Sequence, residues 1–419
     1  MIVTHETTEI TLLPRGGPGA QRLWAYLALG TVSLINLISF MPKFPKPHEA
    51  AWGDALNYYR MSEQTGAAVE NPFALRMLSP WIIHRGNLLT GLSLDVLWVA
   101  FTFVVTLATV IVFFEFLRSY LKLQLFTSVL AAVALACTFW YAPYAFSNPW
   151  LVDPLNNLLY LLAIWFILKR KLIPFAIVIV LGAINKETTL LLAPLYPLIA
   201  WTRGRSFRDR DVLGGIGVFV VAVGIYLGYR IWAQNLIGGD YGFGAGQSNS
   251  GLLDNIRFAL NANKGAGQVE LFTTFHFFWL IFGYGLYQQY RRHGLRAELL
   301  ISSIWLFACC LAGRLVATDT PRVFVMMAPL LVALVAIVLD QQRGEGRRLW
   351  VGALFFLYIA VNLHFVGGAA VFWVDAVALL IFAALVSFPT APGRAGFKAF
   401  NGFRPHQGTL DVADDLKRS

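Results

Sequence analysis

The first long polar stretch, residues 42–90, sets chemically capable side chains between two apolar segments. It reads Gly-Asp-Ala-Leu-Asn-Tyr-Tyr from Gly53 to Tyr59, and Asn-Pro-Phe-Ala-Leu-Arg-Met-Leu-Ser-Pro-Trp from Asn71 to Trp81. An acid ahead of two aromatics, Asp54, and an arginine in apolar company, Arg76, therefore follow the first apolar segment closely. A carboxylate can take a proton from a reacting hydroxyl, and a guanidinium fork matches the oxygens of phosphate. Beside a membrane, such groups suit a polar or anionic lipid head group.

Further charges stand next to apolar segments: Asp153, Lys186, Glu187, Arg314, Asp319 and Arg322. Ionisable groups at membrane depth are costly and usually face a cavity or a partner. Each also has a plainer reading. Asp54 can cap a short interfacial helix over 55–64, and Asp153 before Pro154 can start a helix. Arg76 can snorkel, Lys186 and Glu187 can pair with each other at a tight turn, and Arg322 can anchor at the interface. The case for chemistry is collective, because separate loops on one side each carry such a charge.

The elements that must position these groups are membrane helices. Hydrophobic residues make up 57% of the chain and charged residues 13%, against about 25% charged in soluble domains. Apolar stretches fall near 22–40, 92–117, 125–142, 154–168, 172–184, 188–201, 212–233, 267–289, 299–313, 323–340, 349–366 and 371–388. The expected fold is all-α, a polytopic transmembrane bundle of about 11–12 spans, with interfacial helices in the first outer loop. The expected organisation is a leader at 1–21, a membrane domain at 22–388 and a disordered tail at 389–419.

The net charge of +10 belongs to topology rather than to nucleic acid. Basic residues cluster in alternate short loops, at 118–122, 169–171, 203–210, 291–296 and 343–348, and near both ends of the chain. Lys/Arg-rich short loops stay inside, so both termini are expected in the cytoplasm and 42–90 outside. Residues 172–201 lie between two basic clusters, so the chain must turn back within them, and Asn185-Lys186-Glu187-Thr188 is the polar place to do it. The pattern predicts two short helices meeting at the outer face or dipping into the membrane, where irregular backbone survives only if it lines a cavity. The first apolar segment is long enough to span and shows no cleavable signal.

Other chemistries find little support. Cys137, Cys309 and Cys310 lie in apolar segments and read as core residues. His48, His84 and His276 are isolated. The glycine-rich stretch at 238–244 follows no strand, so it reads as part of a flexible outer loop, 234–265, rather than a nucleotide cradle. Asp319-Thr320-Pro321 lacks the second acid of a DxD pair, so no tightly bound metal and no cofactor are expected.

With Asp54 in Gly53–Tyr59, the Arg76–Pro80 segment, Asn185–Thr188 and Thr320-Pro321-Arg322-Val323-Phe324 in place, the chain resembles the GT-C-type membrane glycosyltransferases over roughly residues 20–340. The missing second acid fits the bacterial branch that uses single sugars on polyprenyl phosphate better than the metal-dependent, oligosaccharyltransferase-like branch. The resemblance implies a polyprenyl-phosphate sugar donor, a glycan or lipid acceptor, surrounding membrane lipids, and the bacterial cytoplasmic (inner) membrane of the cell envelope as the location. It implies Asp54 as catalytic base with Glu187 as the next candidate, and Arg76, Lys186 and Arg322 on the leaving phosphate. Asp153 would also contact substrate, and Tyr58, Tyr59, Trp81 and Trp150 would stack on sugar or join the interfacial aromatic belt. Arg76 and Arg322, with only Asp319 close by in sequence, would converge on one anion. Two other classes fit the charges: a transporter or flippase of a lipid-linked or anionic solute, with broken helices, and a non-catalytic assembly protein.

Overall fold

A computed structural model describes residues 17–41, 54–64, 69, 73–204, 206, 208–237, 257, 261, 266–315, 319–342 and 347–387. Among the described residues the regular structure is entirely helical. Residues 1–16 of the leader, most of the 234–265 loop and the tail lie outside them, as does His48, and the first helix begins at Pro18, inside the expected leader.

The helices follow the apolar stretches closely. In chain order they are α1 (Pro18–Phe40), α2 (Asp54–Glu63), α3 (Leu78–Thr90), α4 (Leu94–Glu115), α5 (Leu125–Cys137), α6 (Pro143–Ser147), α7 (Asp153–Leu168), α8 (Leu172–Asn185), α9 (Leu195–Thr202) and α10 (Arg210–Ile237). Then come α11 (Ala266–Thr273), α12 (Phe278–His293), α13 (Glu298–Arg314), α14 (Thr320–Phe324), α15 (Ala328–Asp340), α16 (Arg347–Asn362) and α17 (Ala370–Ser387). The short α2 and α3 are the interfacial pair expected in the first outer loop, and they pack on each other and on α4.

Five helical stretches, or six if the pair α12/α13 counts as one bent span, are long and apolar enough to cross a membrane. The other expected spans are helical but short or interrupted. The stretch 125–142 ends its helix at Cys137, and 267–289 breaks between Thr273 and Phe278. Hydropathy cannot separate helices facing lipid from helices buried in protein, and the structure does. The apolar window of Thr320–Asp340 is 94% buried, whereas those of Arg210–Trp232 and Ala370–Ser387 are 17% buried. α15 is the central post, packed by α5, α12 and α13. Lipid tails are as apolar as leucine, so close packing rather than burial from water holds such a bundle.

The bundle has two unlike ends. Arg22 pairs with Glu115, Arg203 with Glu298, Arg292 with Gln341, and Arg347 with Gln342. The backbone N–H of Gln124 donates to Asp340 at 3.1 Å, and the Tyr120 hydroxyl reaches the Leu168 carbonyl. The basic loops thus share one end. The starts of α2, α7 and α14 and the end of α8 meet at the opposite end.

Two helices that reach that end are short. At 1.5 Å per residue, α8 with 14 residues spans about 21 Å, and α7 with 16 residues about 24 Å. Both are shorter than a hydrocarbon core of about 30 Å.

Candidate active site

The hairpin expected within 172–201 forms, with Phe175 stacked on Tyr196, and its apex lies at this end. α8 stops where Lys186 turns extended (φ −161°, ψ 122°), and a 3₁₀ helix, Glu187–Leu192, leads back into α9. Gly182 makes the tight return possible, because a methyl there would overlap the Thr189 side chain. Polar groups around the turn find partners, with the Thr188 hydroxyl the exception. Ser79 donates to Asn185 at 2.6 Å, and the Asn185 amide donates to the Val152 carbonyl at 3.0 Å. Thr189 donates to Asn156 at 2.8 Å, Tyr160 to the Thr188 carbonyl at 2.5 Å, and Trp305 to the Leu191 carbonyl at 2.7 Å. Irregular backbone at membrane depth requires this degree of satisfaction.

On this apex, two ionic arrays stand side by side. In the first, Lys186 Nζ lies 2.6 Å from Asp153 Oδ1, and the other Asp153 oxygen takes a bond from Arg322 Nη2 at 2.9 Å. Arg322 Nη1 reaches Asp54 Oδ2 at 3.0 Å and Asp319 Oδ2 at 3.4 Å. Its guanidinium lies over the Tyr144 ring, 5.8 Å from the centroid, and its Nε–H is buried without an acceptor. In the second array, Arg76 grips Glu187 with Nε at 3.0 Å and Nη2 at 2.5 Å, while Nη1 donates to the Tyr58 hydroxyl at 2.9 Å. Four carboxylates (Asp54, Asp153, Glu187, Asp319) thus face three cations (Arg76, Lys186, Arg322).

The electrostatics differ between members. Burial alone would raise the Glu187 carboxyl, but the Arg76 charge and bonds outweigh it and hold it below the usual range. Burial lifts Asp319 above the usual range, and Arg322 only partly offsets this. Burial likewise pushes the Tyr58 hydroxyl far above its ordinary value, so it is a neutral partner of Arg76. The cationic side chains are 10–15% exposed, whereas Asp54, Glu187 and Asp319 are 28, 31 and 40% exposed. The acids therefore form the open side of the cluster.

The structure brings Asp54, Arg76, Asp153, Lys186, Glu187 and Arg322 to one end, but not in every expected pairing. Lys186 and Glu187 do not pair with each other, because the extended backbone at Lys186 sends their side chains to Asp153 and Arg76. Arg76 does not snorkel: it is buried and neutralised by an acid 111 residues away. Arg76 and Arg322 are each bonded to carboxylates, Arg76 to Glu187 and Arg322 to Asp54, Asp153 and Asp319. Asp153 both opens α7, with Pro154 in its first turn, and joins the array. Tyr58 and Tyr59 are not open platforms for sugar. Both are packed in a core cluster with Trp98 and Trp150, and Tyr58 lies edge-on to Phe73 at 5.8 Å. Trp150 is fully buried and donates to Asp95, while Trp81 stays 45% exposed as a belt residue would. Sequence reasoning gave no role to Tyr144 or Asn185, although Asn185 begins the polar cluster that marked the turn. Among the described residues no group of three or more His, Cys, Asp or Glu could hold a metal ion.

An all-helical bundle with two short helices after the first apolar helix and a charged cluster at one end is a fold shared with a solved protein. The crystal structure of ArnT from Cupriavidus metallidurans bound to undecaprenyl phosphate aligns with a TM-score of 0.54 at 16% identity, over 88% of this chain and 70% of that one. The apo structure of the same protein aligns with a TM-score of 0.49 at 15% identity, over 87% of this chain and 70% of that one. By sequence, no family model and no curated protein matches the chain.

Proposed function

We propose that the protein is a membrane glycosyltransferase that moves a sugar from a polyprenyl-phosphate donor to an acceptor hydroxyl at the outer face of the bacterial cytoplasmic membrane. The observation that carries the reading is the Asp54–Arg322–Asp153–Lys186 array, joined across 268 residues of sequence at one end of a helical bundle with the fold of ArnT. The undecaprenyl phosphate bound to ArnT supports the donor class. The sharing of the opposite end by the basic loops supports a cytoplasmic position for that end and an outer position for the site.

In this reading Asp54, more exposed than the Asp153 that shares its arginine, accepts the acceptor hydroxyl's proton. The oxygen bonds to the anomeric carbon, the bond from that carbon to the phosphate oxygen breaks, and polyprenyl phosphate leaves. Lys186 and Arg322 stabilise the phosphate, Lys186 as a point charge and Arg322 through its fork. Asp153 fixes the positions of both cations. Arg76 has all three of its donor nitrogens occupied, so its part is to hold the Glu187 side of the apex in place.

The test is transfer from a labelled polyprenyl-phosphate sugar by purified Asp54→Asn. Loss of the positioned base should lower the rate about 10²- to 10⁴-fold, with the fold and lipid binding retained. Transfer near the wild-type rate would remove Asp54 as base and make Glu187 the next candidate.

A further inference from the structure

The reading above leaves one acid without a task. Asp319 is the most exposed carboxylate of the cluster and lies at the longest distance from its cation, 3.4 Å from Arg322 Nη1. It precedes α14, and besides the Arg322 side chain its carboxyl feels only the Arg322 backbone N–H, too loosely placed to make a full cap. It shares Nη1 with Asp54, while the Nε–H of the same guanidinium is buried and has no acceptor. Arg322 is therefore crowded with acids on one nitrogen and unsatisfied on another. A buried donor without an acceptor is costly, so the resting arrangement is not the one that satisfies this guanidinium best.

Charge bookkeeping points the same way. On the Glu187 side Arg230 stands beyond Tyr226 and adds to Arg76, but on the Arg322 side three acids share Arg322 and Lys186. A phosphate entering on that side adds further negative charge, which neutralising one acid relieves. Glu187 is gripped by two bonds from Arg76, and Asp153 is held by both Lys186 and Arg322. Asp54 must stay ionised to serve as base. Asp319 remains. The groups around it are Arg322 on its own segment, Asp54 on α2, Asp153 on α7 and Tyr144 on α6. The elements packed on α14 are α11, which carries an exposed Glu270, and α13, which ends in Arg314.

We propose that Asp319 is an acidic placeholder on Arg322, which takes up a proton from solvent and releases Nη1 when a lipid phosphate binds. This rests on the polyprenyl-phosphate reading above. The step balances simply: one proton moves from water to Asp319, and the vacated donor goes to a phosphate oxygen. Burial already inclines Asp319 toward its protonated form. Asp319 is a positioning residue and not a catalytic one.

The test is binding of undecaprenyl phosphate to the full chain in nanodiscs, by calorimetry in buffers of different ionisation enthalpy, between pH 5.5 and 8.5. Wild type should take up more protons per phosphate bound than Asp319→Asn, a difference in which the titration of the phosphate itself cancels. At the alkaline end Asp319→Asn should bind about tenfold more tightly, the change that accompanies one pKa unit of lifted repulsion. Asp319→Glu, which keeps the charge, should behave as wild type. Equal affinity and equal proton uptake in wild type and Asp319→Asn, with binding abolished in Arg322→Gln, would overturn the placeholder and leave the phosphate reading standing. Binding by wild type that Arg322→Gln leaves unchanged would overturn both.

Discussion

The Arg76–Glu187 grip offers the sharpest quantitative test of how the apex is held. Arg76→Lys keeps the charge but has one ammonium where the guanidinium made three hydrogen bonds, two to Glu187 and one to Tyr58. An ammonium at that depth can keep one carboxylate contact, so two bonds are lost. Hydrogen bonds to charged groups contribute about 1.5–3 kcal/mol each. With Glu187 31% exposed, water recovers part of that loss, which leaves about 2–3 kcal/mol. Glu187→Gln strands a buried guanidinium and should cost about 3 kcal/mol. At about 2 °C per kcal/mol for a long chain, each variant should melt about 4–6 °C below wild type in detergent. The double variant should melt well above the additive expectation, because the two residues share one interaction, with a coupling of at least about 1 kcal/mol. Strictly additive shifts, or an unchanged midpoint in both single variants, would refute the grip as the element that fixes the apex.

Further outcomes follow from the same geometry. Glu187 is held below the ordinary carboxylate range, so its stabilisation is complete above the unfolded value and is lost as pH falls through the lowered folded value. Below about pH 4.3 wild type should therefore lose thermal stability more steeply than Glu187→Gln, and parallel pH profiles would contradict this. Gly182→Ala should displace the 3₁₀ turn through contact with Thr189, lowering both melting temperature and transfer, whereas Gly224→Ala, with open space around it, should change neither. Single cysteines at positions 48 and 206, in a background without Cys309, should label from opposite sides of sealed vesicles. Labelling of both from one side would place the site on the wrong face.

Much of the helical scaffold was legible because membrane helices write themselves in apolar runs and basic loops. The turn at Asn185–Thr188 was legible for the same reason, since two basic clusters on one side force a return between them. The candidate ionic residues also stood out, because a charge beside an apolar span is conspicuous. Their pairing was not legible. Nothing local in the sequence joins Arg322 to Asp54, or Arg76 to Glu187, across hundreds of positions. Tyr58 and Tyr59 misled because an aromatic beside an acid reads the same whether it faces a ligand or packs under α3, and only the fold distinguishes the two. The depth of each helix was equally hidden, because α10 and α15 are both strongly apolar yet one faces lipid and the other the protein interior.

The shortness of α8 has a consequence for the bilayer itself. Its outward stripe of Ile173, Ile177 and Leu181 ends a full turn before Lys186. Set in a bilayer, this apolar flank is shorter than an average hydrocarbon core, a mismatch that local thinning of the leaflet would relieve. On the proposed function, a carrier lipid at such a thinned rim would have its head group lowered toward the level of Lys186, with little climb out of the acyl region. Membrane thickness would then be a control variable of the proposed transfer: lengthening the acyl chains of the host bilayer should close off this dip and slow it without altering a single side chain.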